Sequence, residues 1–426
     1  MPQLWQSITK ISRKYNRRNN MELLSPAGNF EKLKAAILYG ADAVYLAGHM
    51  FGMRSAADNF DNDELKEACE YAHERGVKVY LTLNTMPRDD EFPRLEVFLN
   101  EIKDFGIDAF IVADLGVMTL LKRVIPNCEI HISTQASVVN SEACREYMAL
   151  GAKRIVLSRE LNIDEIKTIR ANIPKELELE VFIHGSMCIS YSGRCLISNH
   201  FVKRDANRGA CTQPCRWNYK LYRLEEEKRP DDVPEIMQTD EGSFIFSSKD
   251  MCMIEHIPEL FEAGVDSLKI EGRMKSAYYA SVVTNTYRMA LDSYIKDPEN
   301  YKYDPVWGYE LSSVSHREYD TGYFFDKPME DAKTVTEGGY LREKSYIATA
   351  LSYDSETKRA TFLQKNKVVS GQMAELMSPG HPGVMFEVGE MYNGEGEKID
   401  SAPHPGMIFS IVMPFEVKKG DIIRGA

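Results

Sequence analysis

The sequence predicts an α/β fold, a (β/α)8 TIM-like barrel, followed by a small C-terminal antiparallel β-barrel domain. From Met21 to about residue 290, segments with helical periodicity that end in glycine alternate with short β-branched runs. The glycines suit helix C-termini, and the runs suit strands buried on both faces. Eight such runs alternate with helices, which is the number that closes this type of barrel. A doubly wound open sheet is the alternative, although such a sheet rarely needs eight regular repeats.

The predicted strands are short apolar runs that follow the repeat glycines or open the pattern. They cover residues 22–24, 43–46, 77–83, 109–112, 129–132, 154–157, 179–183 and 267–270. Apolar residues at three-to-four spacing predict helices between them, for example over residues 63–75 and 162–172.

After residue 340 the pattern changes to short strands between Gly, Pro and Asn turns. These strands are predicted at 346–349, 359–362, 368–377, 383–390, 407–411 and 418–424. The predicted domains are therefore a barrel over 21–290, a connector over 291–339 and a small β-barrel over 340–426. The basic, polar residues 1–20 are predicted to be a disordered extension. Residues 222–247 are predicted to form a charged, hairpin-like excursion between strands seven and eight.

The composition is that of an ordinary globular protein, with 43% hydrophobic and 27% charged residues. No apolar run is long enough to span a membrane, and the N-terminus lacks the apolar core of a secretory signal, so we expect a cytoplasmic protein. The net charge of −12 argues against a general nucleic-acid coat protein. A local basic patch is nevertheless a candidate RNA contact, with Trp217 beside it. Its residues are Lys203, Arg204, Arg208 and Arg216.

Four cysteines are concentrated in one segment with the spacing C-x6-C-x15-C-x3-C. They are Cys188, Cys195, Cys211 and Cys215, and residues 188–215 are called the cysteine segment below. In a reducing compartment such a group indicates a metal centre or catalysis more often than disulfides. A 4Fe–4S cluster takes four thiolates, whereas structural zinc sites usually show two close cysteine pairs. Only the last two cysteines form a close pair here, so the spacing favours the cluster over zinc.

The other four cysteines have simpler interpretations. Cys69 and Cys144 lie in predicted helices and suit core positions, and Cys128 precedes a strand. Cys252 remains an alternative fourth ligand. Cys215 is favoured over it because Cys215 shares the segment of the other three.

Polar or small residues follow the predicted strands. In a (β/α)8 barrel the chemistry lies at this end, so these side chains are expected to converge, and the cysteine segment directly follows strand seven on the same face. The residues are Ser25, Gly48, Asn84, Asp114, Ser133, Gln135, Ser158, Arg159, Glu160, His184, Glu271 and Arg273.

Three residues are candidate catalytic groups. His184 could act as an acid or base, or could orient the loop, and the sequence leaves both options open. Arg273 and Lys275 follow strand eight, where cations often hold phosphate or carboxylate groups; a salt-bridged barrel rim is the alternative.

Four motifs are similar to those of a known family. The stretches ELLSPAGN, EVFIHGSMCISYSGRCLIS, GACTQPCRW and SLKIEGRMKS resemble the collagenase-like peptidases, and the resemblance covers residues 21–426. The chain carries no HExxH or GxSxG motif, so the sequence gives the peptidase name little support. Members of this family include RNA and quinone hydroxylation proteins.

The resemblance is greatest to the branch that makes 5-hydroxyuridine at the tRNA wobble position without molecular oxygen. It implies a 4Fe–4S cluster on the four clustered cysteines, prephenate as a small dicarboxylate co-substrate held near Arg273 and Lys275, and tRNA as the partner. Base stacking on Tyr191, Arg216 or Trp217 would fit that role. The resemblance leaves open whether a partner subunit or an oligomer is needed. Two other functions stay open, namely a peptidase and a zinc-stabilised RNA-binding protein.

Overall fold

The computed structural model describes residues 21–53, 58–217, 237–239, 242–244, 248–326, 340–341 and 344–426. The predicted extension over 1–20 lies outside these residues, as do most of the predicted excursion over 222–247 and the later part of the predicted connector.

Eight parallel strands form a closed barrel. In chain order the barrel strands are β1 (Glu22–Pro26), β2 (Ala43–Leu46), β3 (Lys78–Leu83), β4 (Ala109–Val112), β5 (Glu129–Ile132), β6 (Arg154–Val156), β7 (Glu178–Ser186) and β11 (Ser267–Ile270). Three further strands lie between β7 and β11 in the chain: β8 (Met237–Thr239) and β9 (Gly242–Phe244), which form a hairpin, and β10 (Asp250–Cys252). Strands β1 to β7 pair in sequence, and β11, the eighth barrel strand, pairs with both β1 and β7. The predicted barrel and its eight strands are confirmed.

Helices cover the outside of the barrel. They are α1 (Phe30–Leu38), α2 (Asn62–Glu74), α3 (Phe92–Ile102), α4 (Leu115–Val124), α5 (Ser141–Ala149), α6 (Ile163–Asn172), α7 (Ile197–Val202), α8 (Ile257–Glu262), α9 (Ala277–Lys296) and α10 (Pro305–Ser312). Asp61 and Asn162 each start a helix with a reciprocal capping box. Gly76 and Gly264 follow α2 and α8 with φ of 72° and 70°, a conformation that side chains disfavour, as the repeat pattern predicts.

The lower end of the barrel interior, where the strands begin, is filled by charged side chains. Arg154 donates to Glu22 at 2.5 Å and to Glu180 at 3.1 Å, and Lys269 donates to Glu180 at 2.7 Å. The hydroxyl of Tyr80 donates to Glu22 at 2.6 Å. Each buried charge therefore has an opposite charge and a hydrogen bond, which is the condition under which buried ions are tolerated.

Two short strands extend the barrel wall beyond β7. The C-terminal end of β7 pairs antiparallel with β10, so that Cys252 lies opposite His184. Strand β10 in turn pairs with β12 (Tyr319–Asp320). Helix α9 continues past residue 290, and α10 lies within the predicted connector, where it packs against α9.

The C-terminal domain is a small antiparallel half-barrel. Its strands are β13 (Tyr346–Asp354), β14 (Arg359–Gln364), β15 (Val368–Val369), β16 (Met373–Met377), β17 (Val384–Glu387), β18 (Met391–Asn393), β19 (Lys398–Ile399), β20 (Ser401–Ala402), β21 (Ile408–Val412) and β22 (Ile422–Gly425). The main sheet has the order β17-β16-β22-β13-β14-β21-β18-β19. Within the described residues its two edge strands do not pair with each other. The single strand predicted over 368–377 is wrong, because a turn at Gly371, with φ of 83°, divides it into β15 and β16.

A buried ion network joins the two domains. Arg424 of β22 is fully buried and donates to Glu310 of α10 and to Glu375 of β16, both at 2.7 Å. Lys344 also bonds to Glu375, and Gly383 donates its N–H to Glu310 at 3.0 Å. Two carboxylates and two cations thus compensate each other at the domain interface.

Replacing Arg424 with alanine should leave the carboxylates of Glu310 and Glu375 undercompensated in the interior. Breaking a buried ion pair in this way costs about 3–5 kcal/mol, so we expect a loss of that size in the free energy of unfolding measured with denaturant. Lys398→Ala removes the exposed ion pair with Glu390 and is the matched control, expected to unfold like the wild type. Equal stability of Arg424→Ala and the wild type would contradict the compensation argument.

The ionisation of Glu22 should contribute to the pH dependence of the free energy of unfolding. Burial raises its pKa, but the charge of Arg154 and hydrogen bonds from Arg154, Tyr80 and Ser267 outweigh burial and lower the pKa to about 2. This carboxylate therefore contributes roughly 3 kcal/mol above its ordinary pKa, and the contribution is lost as the pH falls towards 2. Denaturant unfolding between pH 6 and pH 3 should show a smaller loss of stability on acidification in Glu22→Gln than in the wild type. Identical slopes would refute this role.

Candidate functional site

The strand ends enclose a small polar pocket at the barrel mouth, with a cavity volume of about 50 Å³. It is lined by six of the residues predicted to converge there: Asn84, Ser133, Gln135, Arg159, Glu271 and Arg273. The other predicted strand-end residues do not line it. For example, Asp114 caps α4 by accepting the N–H of Val117, and the Ser25 hydroxyl bonds to Thr284.

Three cations and one carboxylate give the pocket its charge. Arg273 is buried and donates to the Thr82 hydroxyl at 2.9 Å. Lys269 reaches the pocket floor while it remains paired with Glu180 below. Arg159 and Glu271 line the sides. Since Glu180 compensates Lys269, the two arginines leave the pocket suited to an anionic group.

The cysteine segment crosses the mouth and is fixed there by backbone contacts. Gly193 has φ of 75°, and a Cβ at this position would lie 2.2 Å from the carbonyl oxygen of Gln135, a pocket residue. Glu160, which follows β6, accepts both the N–H and the hydroxyl of Ser192, at 2.8 and 3.1 Å. A side chain at residue 193 would push the segment off the pocket, so glycine is required.

Two arginines hold the cysteines towards the barrel. Arg159 donates to the Ser186 carbonyl at 2.8 Å and lies 3.8 Å from the Cys188 sulfur. Arg216 donates to the Met187 carbonyl and to the side chain of Gln213, both at 3.0 Å. Arg216 was predicted as an RNA contact, but its guanidinium is turned inward, where it interacts electrostatically with the thiols of Cys188 and Cys215.

The four clustered cysteines have the chemistry expected of cluster ligands. None of the four forms a disulfide, and Cys188 and Cys211 are exposed. Burial raises the pKa of Cys215, Arg216 opposes this, and the other three thiols of the segment raise the pKa further, so all four influence one another. Among the described residues, no group of three or more His, Cys, Asp or Glu side chains is close enough to bind a metal ion. Four thiols are the donor set that a 4Fe–4S cluster takes.

Cys252 lies apart from the segment. It is the last residue of β10, and its sulfur lies 3.9 Å from the Tyr287 hydroxyl. Burial raises the pKa of its thiol to about 11. The thiols that shift the pKa of Cys215 do not include Cys252. This arrangement favours Cys215 over Cys252 as the fourth ligand.

His184 and Lys275 do not line the pocket. The predicted strand ends at residue 183, but β7 continues to Ser186 because β10 pairs with its end. His184 is therefore buried among Tyr279, Tyr287 and Tyr319, and burial lowers its pKa to about 3. Lys275 donates to the Ser315 carbonyl at 2.9 Å, away from Arg273. Their positions favour structural roles for both.

The candidate RNA contacts differ in exposure. Lys203 and Arg204 are exposed at the end of α7, whereas Arg208 forms an ion pair with Glu91 at 2.5 Å. Trp217 is 38% exposed and donates its indole N–H to the Thr212 carbonyl.

Three apolar side chains of the cysteine segment are also exposed, and the sequence analysis missed two of them. They are Tyr191, Leu196 and Phe201. Leu196 and Phe201 were detectable as large apolar residues in a stretch with no helical or strand periodicity. Together with Trp217 they are four large, exposed apolar side chains in and beside the cysteine segment, three of them aromatic.

Residues 28–334 match peptidase family U32, and residues 342–424 match the C-terminal domain of that family. This chain belongs to peptidase family U32. The resemblance seen in the sequence motifs is thereby confirmed.

The named relatives of this chain include tRNA hydroxylation proteins and a protease. A tRNA hydroxylation protein P1 of Bacillus subtilis is 37% identical, with 95% of this chain and 94% of the relative aligned. A tRNA hydroxylation protein P of Haemophilus influenzae is 31% identical over 93% and 94% of the two chains. An uncharacterized protease of Methanocaldococcus jannaschii is 44% identical over 72% and 73%. In the described part of the chain, no helix is both long and apolar enough to cross a membrane.

The metal content of cysteine variants should show which cysteines are cluster ligands. After anaerobic purification we expect about four irons and four sulfides per chain, no stoichiometric zinc and a broad visible absorbance band. Cys211→Ala should lose the iron and the band together. Cys252→Ala is the matched control and should keep both. Full iron content in Cys211→Ala would show that the ligand assignment is wrong, and stoichiometric zinc in the colourless wild type would exclude the cluster.

Proposed function

We propose that this chain is a tRNA-modifying enzyme that hydroxylates the wobble uridine to 5-hydroxyuridine without molecular oxygen. It would use a 4Fe–4S cluster on the four clustered cysteines and prephenate as co-substrate. The observation that best supports this proposal is that four cysteines outside any disulfide lie on one segment, fixed across the mouth of a cationic barrel pocket. The alignment with tRNA hydroxylation proteins over nearly the whole chain supports tRNA as the substrate.

The pocket supports a carboxylate ligand. A guanidinium can donate two parallel hydrogen bonds to one carboxylate, and Arg273 and Arg159 line the same cavity. A volume of about 50 Å³ accommodates a carboxylate group but not a whole cyclic dicarboxylate. We therefore infer that one carboxylate of prephenate would enter the pocket and that the rest of the molecule would remain at the mouth, below the cysteine segment.

The cluster would be held by Cys188, Cys195, Cys211 and Cys215, and when bound it would supply one-electron chemistry or a Lewis-acidic iron. The chain's own residues prepare this site. Arg159 lies 3.8 Å from the Cys188 sulfur, and Arg216 interacts electrostatically with Cys188 and Cys215, so both cations would offset the negative charge of a thiolate-ligated cluster. The contacts of Gly193 and Ser192 hold the segment over the pocket, where a bound ligand and a base presented from outside would meet.

A peptidase is the second candidate, because a relative is named a protease. The described residues that line the pocket include no histidine and no cysteine. Ser133 accepts a hydrogen bond from Asn84 at 3.2 Å, and no imidazole in this lining could activate it. A zinc-stabilised RNA-binding protein is the third candidate, but it would not need an enclosed pocket with two arginines.

The proposal predicts restoration of 5-hydroxyuridine in a bacterial strain that lacks its own tRNA hydroxylation activity. Expression of the wild-type chain should restore the nucleoside, measured by mass spectrometry of digested tRNA. Arg273→Gln should lower its level about tenfold or more, because a charged hydrogen-bond partner of the carboxylate is lost. Arg123→Gln, which removes an exposed cation on α4, is the matched control and should restore the nucleoside fully.

A different outcome would favour the peptidase. If the iron-loaded wild type restored no hydroxylated nucleoside while the purified chain cleaved gelatin, the proposed function would be wrong. If Arg273→Gln restored 5-hydroxyuridine to the wild-type level, the central pocket would have no role in the reaction.

A further inference from the structure

A second cavity opens beside the barrel mouth, with a volume of about 370 Å³. This side cleft is formed by residues 49–52 after β2, by residues between 85 and 94 around the start of α3, and by residues 205–210 of the cysteine segment. It is several times larger than the central pocket, and a nucleoside needs room of this order. The central pocket is too small for a whole nucleoside.

The side cleft is separated from the central pocket by only one layer of backbone. Gly52 lines the cleft, and its neighbour Met53 lines the pocket. Gly209 of the cysteine segment packs against the backbone of both Gly52 and Met53, since a Cβ at residue 209 would lie 2.7 Å from the Gly52 carbonyl oxygen. A nucleotide bound in the cleft would therefore have its chain neighbour at the pocket mouth.

The geometry points to a nucleoside-binding site: we propose that the side cleft holds one nucleoside of the RNA substrate, adjacent to the nucleotide presented to the central pocket. This inference rests on the proposed function and adds to it the position of a second nucleotide. Three features of the cleft support it.

The first feature is a fixed aromatic wall. Phe51 has φ of 64°, a left-handed conformation that is rare for a bulky residue and that is concentrated at functional sites. Both the N–H and the hydroxyl of Thr85 donate to its carbonyl, at 3.4 and 3.1 Å, and its ring packs 6.5 Å from Phe98. The strained backbone thus presents a preoriented ring, on which a base can stack whatever its sequence.

The second feature is a cation without a carboxylate partner. Arg94 is exposed and donates to the Met50 sulfur at 3.3 Å, and among the described residues it forms no ion pair. A guanidinium can stack on a base or bind a phosphate. His49 is exposed at the same rim and offers a second flat polar group.

The third feature is that the two carboxylates of the cleft are already engaged. Glu91 accepts from Arg208 at 2.5 Å and from the Arg88 N–H at 2.8 Å. Asp205 accepts the N–H of Asn207 at 3.0 Å. The cation of Arg208 compensates the charge of Glu91, which lowers the repulsion that a phosphodiester would meet at the rim.

The test is a binding assay with the iron-loaded full chain and a fluorescein-labelled RNA hairpin that carries an anticodon loop, in a series of salt concentrations. Phe51→Gly removes the ring and suits the left-handed backbone, so it should fold. It should weaken binding about tenfold. Arg94→Gln should lower the slope of log Kd against log salt by about one. Arg123→Gln is the control for a lost surface cation and should bind like the wild type.

A photo-crosslink gives an independent readout. A hairpin with 4-thiouridine beside the wobble position should crosslink to a peptide that contains residues 49–52 in the wild type, and the yield should fall in Phe51→Gly.

Two results would overturn the inference, and they are distinguishable. If the wild type binds the hairpin and restores 5-hydroxyuridine in cells, but both variants keep its affinity and salt slope, the cleft proposal fails alone. If the wild type binds no hairpin but a gelatin-derived peptide binds in the cleft, the proposed function fails with it.

Discussion

The buried charges at the lower end of the barrel determine where a site can be. Arg154 lies inside the barrel between Glu22 and Glu180, with contacts of 2.5 and 3.1 Å, and Lys269 lies 2.7 Å from Glu180. Such ions are costly to bury unless they are fully paired, so the four side chains fill one end of the barrel with a plug of paired charges. Lys269 extends from this plug to the floor of the central pocket. Only the opposite end, where the strands finish, remains open for ligands.

The cysteine segment depends on that open end. It has little regular structure of its own, and its position comes from contacts with the strand-end loops at Gln135, Glu160 and Gly52. The same segment forms a wall of the side cleft and covers the central pocket. A shift of this segment would therefore change the shape of both cavities. In the proposed function the cluster would be held by this same segment, beside both cavities.

The sequence predicted the barrel well because its signals are local and repeated. All eight strands follow from apolar runs, and the convergence of Asn84, Ser133 and Arg273 follows from their places at strand ends. The surroundings of His184, Lys275 and Arg216 could not be predicted, since the direction of a side chain in an irregular loop depends on distant contacts, and the roles proposed for these residues stay predictions. His184 was misplaced because β10 prolongs β7, a pairing between segments separated by the excursion.

The side cleft could not be predicted from the sequence. It depends on a left-handed Phe51, which has no local sequence signal, and on the approach of Gly209 to Gly52, which is distant from it in the sequence. The split of the strand predicted over 368–377 is different, because Gly371 was visible in the sequence as a turn signal within an otherwise continuous run.

The central claim is that the chain itself hydroxylates tRNA at the pocket below the cysteine segment. The most direct measurement is an anaerobic reaction of the purified, iron-loaded chain with unmodified tRNA and prephenate, followed by mass spectrometry of the nucleosides. The account predicts 5-hydroxyuridine at the wobble position that depends on prephenate and forms with oxygen excluded. Unmodified tRNA after complete cluster loading, with or without prephenate, would contradict it.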